Sequence, residues 1–474
     1  MRLGFFALTV VHAVAVGPGL SYSVEAACFK QTQSPPVRAG DIVRIAADGT
    51  DSQGEAVYLV ALGAADRRLE ASCSTFIRVI ASTPEGDVTL PRVTARADGR
   101  WLVRVLRWNA TADWRLSAFL EHTEFATLDR YGKGRIGACV VTNVTLDNRD
   151  KLGGVALAPL LGPPPPPPPR PPCSDVAQLS EMGGHRTAGR GVWSPAACAP
   201  VANSSFSMAR RVLGGHWVAF FGDSTMEERA ATLLALLGRA KPRGAFPRAG
   251  ILEAQLLSDD STLNDTFGAL AKTCTKEIYH HRDFDVSGDD WRLTFTWIGG
   301  SGPCKNLEGL RGVLGSAERV DRIARLLAAP WRGRRGPEVV FWNSGLHDLG
   351  APVVFDKPFT LVGYARDLDA FWDLLANASS AASSPTILWL SSSPKFKRFE
   401  CTETRGAAVG NAGVKLLNQV AAMVANRRGA PILDMWAVRY LAPDDGDGHH
   451  SMHGPSCRGM TTLLLEAARL VLHR

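Results

Sequence analysis

No C-x-x-C pair occurs among the nine cysteines, which removes the usual ligand spacing of a zinc ribbon and the redox pair of a thioredoxin-like site. Excess charge is scarce as well. Lys plus Arg number 53 against 46 Asp plus Glu, a dispersed net +7 over 474 residues that gives no footprint for nucleic acid. Beyond the first residues, no run reaches the roughly 20 apolar residues that a membrane span requires. Compositional bias is missing too: 45% hydrophobic, 21% charged and 8% aromatic residues describe a chain able to bury a core, far from disordered or collagen-like sequences. At roughly 100 to 200 residues per domain, the length predicts two or three domains. What stands out is the nine cysteines and 29 prolines, and where they fall.

Arg2 precedes an apolar stretch from Leu3 to Val16, then Gly17-Pro18-Gly19, then the small residues Ala26 and Ala27 ahead of Cys28. Residues 1–27 are expected to be a secretory signal peptide, with an uncleaved signal anchor, and hence a membrane partner, as the alternative. The stretch is short for a span, which favours cleavage. Five Asn-x-Ser/Thr acceptors, at Asn109, Asn143, Asn203, Asn264 and Asn377, fit passage through the secretory pathway to the Golgi lumen or the outside. Disulfides form and persist there. Proximity along the chain pairs Cys73 with Cys139, Cys173 with Cys198, Cys274 with Cys304 and Cys401 with Cys457, leaving Cys28 over.

Residues 163–172 read Pro-Pro-Pro-Pro-Pro-Pro-Pro-Arg-Pro-Pro, a tract without donors that prefers polyproline II. Residues 151–172 are therefore expected to be a linker. Ahead of it, the runs Asp41 to Ala46, Ala56 to Leu62, Thr75 to Ile80, Trp101 to Trp108 and Trp114 to Leu120 alternate apolar and polar residues between Gly/Asp/Pro turns. That pattern predicts an immunoglobulin-like β-sandwich over 28–150, a structural or interaction domain. Behind the linker the texture changes. Apolar runs Trp217 to Phe221, Leu293 to Ile298, Val339 to Trp342, Ile387 to Leu390 and Ile432 to Leu433 alternate with amphipathic stretches, predicting a parallel sheet covered by helices over 173–474. In the first helical stretch, Met226, Ala230, Leu233, Leu234 and Leu237 fall on one face. The others are Ala317 to Leu327, Tyr364 to Leu375, Val414 to Ala425 and Thr461 to Leu472.

Polar residues gather at the predicted strand ends. Phe220-Phe221-Gly222-Asp223-Ser224-Thr225 closes a buried strand and opens a helix, so Ser224 falls at the carboxyl edge of the sheet, where open α/β folds bind ligands. Unpaired N–H groups there can hold a developing oxyanion, although a serine at that place serves equally as a helix N-cap. Asn343, after the run Val339 to Trp342, brings an amide donor; Gly299 and Gly300, after Trp297-Ile298, bring bare N–H groups. A serine nucleophile needs an imidazole to take its proton and a carboxylate to fix the tautomer. Asp447 and His450, three residues apart around Gly448, supply both from one loop. His449 and His453 compete for the base role, and with Asp447 they form the alternative of a zinc site; Gly454-Pro455 argues against a helix that would align them.

The order Ser, Gly, Asn, Asp-x-x-His resembles the SGNH (GDSL-type) hydrolase superfamily. Gly222-Asp223-Ser224-Thr225, Asn343-Ser344-Gly345-Leu346-His347 and Asp447-Gly448-His449-His450 are most similar to its PC-esterase group. That group holds the plant trichome-birefringence-like polysaccharide O-acetyltransferases, sialate O-acetyltransferases and the neurexophilin and PC-esterase domain family. Gly191-Val192-Trp193-Ser194-Pro195-Ala196-Ala197-Cys198 with Cys173, and a β-domain ahead, most resemble the last. The resemblance implies a three-layer α/β hydrolase-like domain with Ser224 as nucleophile, His450 as general base and Asp447 as its orienter. The oxyanion hole would combine the Ser224 N–H, Gly299 or Gly300, and the Asn343 amide. One departure is visible: an arginine often stands three residues after the serine, where this chain has Glu227, with Arg229 two positions on. The implied activity is O-acetyl transfer to a glycan or glycoprotein hydroxyl, with an acetyl donor such as acetyl-CoA as co-substrate, no bound cofactor, no metal and no nucleic acid. If water replaces the sugar, the same residues make an esterase. The reading from another class is a silent glycan-binding module.

Overall fold

Alternation produces short strands in the first part of the chain: β1 (Val43–Thr50), β2 (Ala56–Leu62), β3 (Phe76–Ser82), β4 (Val88–Thr89), β5 (Arg92–Ala95), β6 (Trp101–Val105) and β7 (Arg115–His122). The structure is a computed structural model and describes residues 43–50, 56–62, 76–84, 88–89, 92–95, 101–105, 115–122, 155–156, 170–180, 184–186, 193–195, 197–237, 283–299, 308–348, 361–379, 385–394, 411–440 and 454–473. The first strands pair antiparallel, β1-β2-β6-β5 in one sheet and β4-β3-β7 in another. Val79 and Ala81 in β3, and Val103 and Val105 in β6, are buried, the period of two expected of sheets with one covered face. Only β4 and β5 were not foreseen; strands of two and four residues carry no readable alternation.

Hydrogen bonding runs on past residue 150. β8 (Val155–Ala156) pairs with β7, β9 (Gly184–Arg186) pairs with β4, and β10 (Trp193–Pro195) pairs with β9, extending the second sheet to six strands. β8 falls within residues 151–172, the expected Pro-rich linker. Its end is also tied down: the Ala199 N–H donates to Pro171 O (2.8 Å), the Cys173 N–H donates to Ala199 O (3.1 Å), and Arg170 donates to Pro195 O. Cys173 and Cys198 are disulfide-bonded, the pairing expected from proximity.

After α1 (Ala177–Ser180) and α2 (Phe206–Leu213) comes the α/β unit: β11 (Trp217–Gly222), α3 (Ser224–Leu237), β12 (Phe284–Ser287), β13 (Arg292–Trp297), α4 (Gly309–Leu314) and α5 (Ala317–Leu327). A hairpin of β14 (Pro330–Trp331) and β15 (Arg334–Arg335) leads into β16 (Val339–Trp342), α6 (Leu361–Ser379), β17 (Thr386–Leu390), α7 (Asn411–Arg427), β18 (Ile432–Leu433), α8 (Met435–Tyr440) and α9 (Gly454–Leu472). The sheet order is β12-β13-β11-β16-β17-β18. Five strands are parallel, as expected, while β12 runs antiparallel along the edge, so the sheet is mixed.

Two cores form because successive residues of a strand point to opposite faces. Val218 and Phe220 of β11 pack with Met226, Leu233 and Leu237 of α3 and with α9; Ala219 and Phe221 pack with Phe371 and Leu375 of α6 and with α7. On the second side Trp342 lies between Trp389 (4.7 Å, edge-on), Trp372 (5.0 Å) and Phe371 (5.1 Å), each aromatic pair adding about 0.5–1.5 kcal/mol beyond its buried area.

β11 is where the chain reverses its direction of growth: β13 is added on one side of it, and β16, β17 and β18 on the other. Open α/β sheets leave a crevice at such a switch point, outside the carboxyl ends of the strands. All six residues of β11 are buried. No described helix is long and apolar enough to cross a membrane.

Candidate active site

Three strand ends meet at the switch point in register. Phe221 of β11 lies opposite Trp342 of β16, and Gly222 opposite Trp297 of β13. The turns beyond them are tied to β11: the Asn343 N–H donates to Phe221 O (3.0 Å), and the Ile298 N–H donates to Gly222 O (2.9 Å). Ser224, Gly299 and Asn343 therefore each follow one of three neighbouring strand ends. Gly222 has no room for a side chain, since a Cβ would fall 2.7 Å from Asn343 Oδ1 and closer still to Met226.

Ser224 is the first residue of α3, and the cap belongs to its neighbour. Asp223 Oδ1 accepts from the Thr225 N–H (2.9 Å) and from Thr225 Oγ1 (2.6 Å), while Asp223 O accepts from the Met226 and Glu227 N–H groups. That is the hydrogen-bonding pattern of an N-cap. The capping role weighed for Ser224 is therefore filled by Asp223. Ser224 stays partly exposed where its neighbours are buried, at the positive end of a 14-residue helix.

Asn343 is 3% exposed, and its Oδ1 is buried without a hydrogen-bond partner. The NH2 end of the same amide is the donor an oxyanion needs. On the other flank, β13 ends in a clamp. Asp283 Oδ1 accepts from the Trp297 N–H (2.7 Å), Asp283 Oδ2 meets Arg319 (2.9 Å) and Arg322 (3.1 Å), and Arg319 donates to Trp297 O. Removing one partner of so buried a pair costs about 3–5 kcal/mol, so the clamp fixes Trp297 and the Gly299 turn firmly.

The loop after β16 carries a second carboxylate. Asp348 Oδ2 accepts from Ser344 Oγ (2.6 Å) and Oδ1 from the Leu310 N–H (2.9 Å), while Ser344 O accepts from the Tyr364 hydroxyl (2.9 Å) and from Ser392 Oγ (3.3 Å). His347 stands edge-on to Trp297 at 5.0 Å. Burial, against the pull of the Ser344 and Leu310 bonds and helped by the Asp367 charge, raises the Asp348 carboxyl from 3.8 to about 6. Burial, then the charges of Asp348 and Asp223, hold the Tyr364 hydroxyl well above its usual range, so it remains a donor.

The Asp348 shift has a defined sign. The folded state keeps a proton that the unfolded chain releases near pH 3.8, so stability from this group is present below that pH and lost as pH rises toward 6. The loss is on the order of 3 kcal/mol. Asp348→Asn should therefore melt at the same temperature as wild type near pH 4 and above it at pH 7; a difference that shrinks with rising pH would contradict the shift.

Not every expected residue can be placed. Asp447, His449, His450, His453 and Gly300 lie outside the described residues, as do Cys28, Cys73, Cys139, Cys274, Cys304, Cys401, Asn109, Asn143 and Asn264. Asn203 and Asn377 are exposed. Among the described residues, no group of three or more His, Cys, Asp or Glu could hold a metal ion.

Two expectations are corrected. Cys457 is a buried free thiol rather than the partner of Cys401, because α9 turns it inward to within 3.8 Å of Thr232 Oγ1 on α3. Burial raises that thiol above its ordinary range, with Arg229 opposing and Glu228 adding to the shift. Likewise α9 starts at Gly454, seven residues before the expected Thr461: Pro455 falls in the first turn, where its missing N–H costs no hydrogen bond. Glu227, Glu228 and Arg229 are all buried on α3, and Arg229 lies 3.4 Å from Glu228, so neither Glu227 nor Arg229 offers an exposed charge beside the serine.

No protein-family model matches the chain, and no curated protein matches it. Solved structures similar to it include a carbohydrate acetylesterase family member from Sinorhizobium meliloti, at 14% identity and a TM-score of 0.32, covering 55% of this chain and 100% of that one. The acetyl xylan esterase AlAXEase follows at 11% identity and a TM-score of 0.26, covering 52% of this chain and 96% of that one. The native aryl esterase of M. Smegmatis is 16% identical with a TM-score of 0.30, covering 54% and 99%. At such scores the likeness assigns no activity, and the chemistry has to come from the residues at the three strand ends.

Proposed function

We propose that this chain is a serine-dependent O-acyl enzyme that transfers an acetyl group to glycan hydroxyls. One observation carries it: Ser224 opens α3 at the switch point while Asp223 fills the cap, with Gly299 and Asn343 ending the two flanking strands. A serine at a helix N-terminus, beside hydrogen-bond donors able to meet developing negative charge, is equipped for acyl chemistry.

In the proposed reaction Ser224 Oγ passes its proton to His450, whose tautomer Asp447 fixes, and bonds to the acyl carbon. The donor's leaving group departs with that proton. A sugar hydroxyl then gives its proton to His450 and attacks the acyl carbon, and as the bond to Ser224 Oγ breaks His450 returns that proton to Oγ. An acetyl donor such as acetyl-CoA supplies the group, a glycan or glycoprotein receives it, and the secretory lumen is the place where the expected signal, disulfides and Asn-linked glycans belong. With water as acceptor, the same residues make a carbohydrate O-acetyl esterase.

The test is incubation of the purified full chain with an activated acetyl ester, with and without candidate glycans. An acetylated Ser224 peptide by mass spectrometry, with acetylated glycan as product, supports transfer. Release of acetate alone assigns the esterase. No adduct and no turnover, with glycan retained on the protein, would leave a binding module.

A further inference from the structure

A closed circuit of hydrogen bonds runs around the three strand ends. Gly222 O accepts from the Ile298 N–H, Gly299 O accepts from the Gly309 N–H (2.9 Å), and the next N–H, that of Leu310, donates to Asp348. Asp348 then takes the Ser344 hydroxyl, and Ser344 follows Asn343, whose N–H returns to Phe221 O of β11. In this circuit the Asp348 carboxylate is the side chain that joins the segment after β13 to the turn after β16.

The surroundings are shaped to admit it. Gly309 has φ +60°, a region costly for residues with a side chain, and a Cβ there would strike the Asp348 carboxylate. Gly345 has φ +134°, and a Cβ there would lie 2.8 Å from Leu417 Cδ1 and 3.1 Å from the Tyr364 hydroxyl. Tyr364 and Ser392 both hold Ser344 O, so the turn is gripped from α6 and from the end of β17 as well. A buried carboxylate carries a substantial desolvation cost, and two hydrogen bonds offset only part of it.

We infer that Asp348 is a positioning residue for the oxyanion hole, a bracket that holds the Asn343 turn against the Gly299 turn at the spacing a tetrahedral intermediate needs. This rests on the acyl-transfer function proposed above. Asp348 touches no reacting atom and acts through Asn343 and Gly299. Misplacing such donors by about 1 Å is enough to cost on the order of 100-fold in rate.

The experiment is a double-mutant cycle on the full chain, following hydrolysis of an activated acetyl ester together with thermal melting. Asp348→Ala should lower kcat about 10- to 100-fold with KM little changed. In an Asn343→Ala background the same change should cost clearly less than in wild type, because one of the two donors it positions is already gone. Asp348→Asn, which still accepts from Leu310 N–H and can donate to Ser344, should stay within about threefold of wild type. Should Asp348→Ala fail to fold, Ser344→Ala removes one arm of the bracket and should reproduce the coupling to Asn343. Fully multiplicative losses, or an Asp348→Asn variant as poor as the alanine, would overturn the bracket. Wild-type protein without Ser224-dependent turnover would instead overturn the acyl-transfer function, and the positioning role with it.

Discussion

Ser224→Ala should abolish the acyl-enzyme and lower kcat by about 10⁴-fold or more, while thermal stability moves by no more than about 0.5 kcal/mol. The two halves of this result belong together. Were Ser224 the cap of α3, alanine would cost about 0.5–2 kcal/mol of stability and activity would follow the fold. The cap contacts instead come from Asp223, through Oδ1 to the Thr225 N–H and hydroxyl. Asp223→Ala is thus the control that should show the stability loss. Residual hydrolysis in Ser224→Ala can arise from the oxyanion donors alone, so the decisive measurement is the missing acetyl adduct on the Ser224 peptide. A variant that keeps wild-type turnover would remove serine chemistry from this chain.

What could be read ahead of the structure was what has a period or a motif. The run Trp217 to Phe221 followed by Gly-Asp-Ser gave strand, turn and helix, and Asn343 could be placed because four apolar residues precede it. Asp348 could not. Its partners are the Leu310 N–H, 38 residues earlier, and Ser344, and a lone carboxylate beside a histidine reads as ordinary surface charge until the fold buries it. Asp283 and Arg319 were hidden for the same reason, being 36 residues apart and meaningful only around the backbone of Trp297.

The free thiol of Cys457 shows the opposite failure. Counting cysteines supplies partners, but the pairing is decided by which face of α9 the residue takes, and that face looks at Thr232. The strands β8, β9 and β10 escaped because two or three residues have no readable period.

Asn343→Ala should lower kcat by about 10²- to 10³-fold, or roughly 3–4 kcal/mol, leave KM nearly unchanged and leave the Ser224 acetyl adduct slow to form. The amide contributes only where negative charge develops, so its loss falls on the transition state and not on the bound substrate. Asn343→Asp sharpens the case: shape and volume are kept, the donor is lost, and a carboxylate is set beside the growing oxyanion, so turnover should fall at least as far. A structural role would give a different pattern. Asn343 Oδ1 is buried without a hydrogen-bond partner, so truncation to alanine removes an unsatisfied polar atom and should not destabilise the fold through lost hydrogen bonds of that side chain. Gly222→Ala approaches the same atom from the other side, since a Cβ 2.7 Å from Oδ1 must displace the amide or the Met226 side chain. If the amide is the donor, Gly222→Ala should share much of the Asn343→Ala loss, and combining the two should add little to it. Equal losses in kcat and in melting temperature across all three variants would instead make Asn343 a packing residue of the turn and leave the oxyanion to Gly299 and the N-terminus of α3.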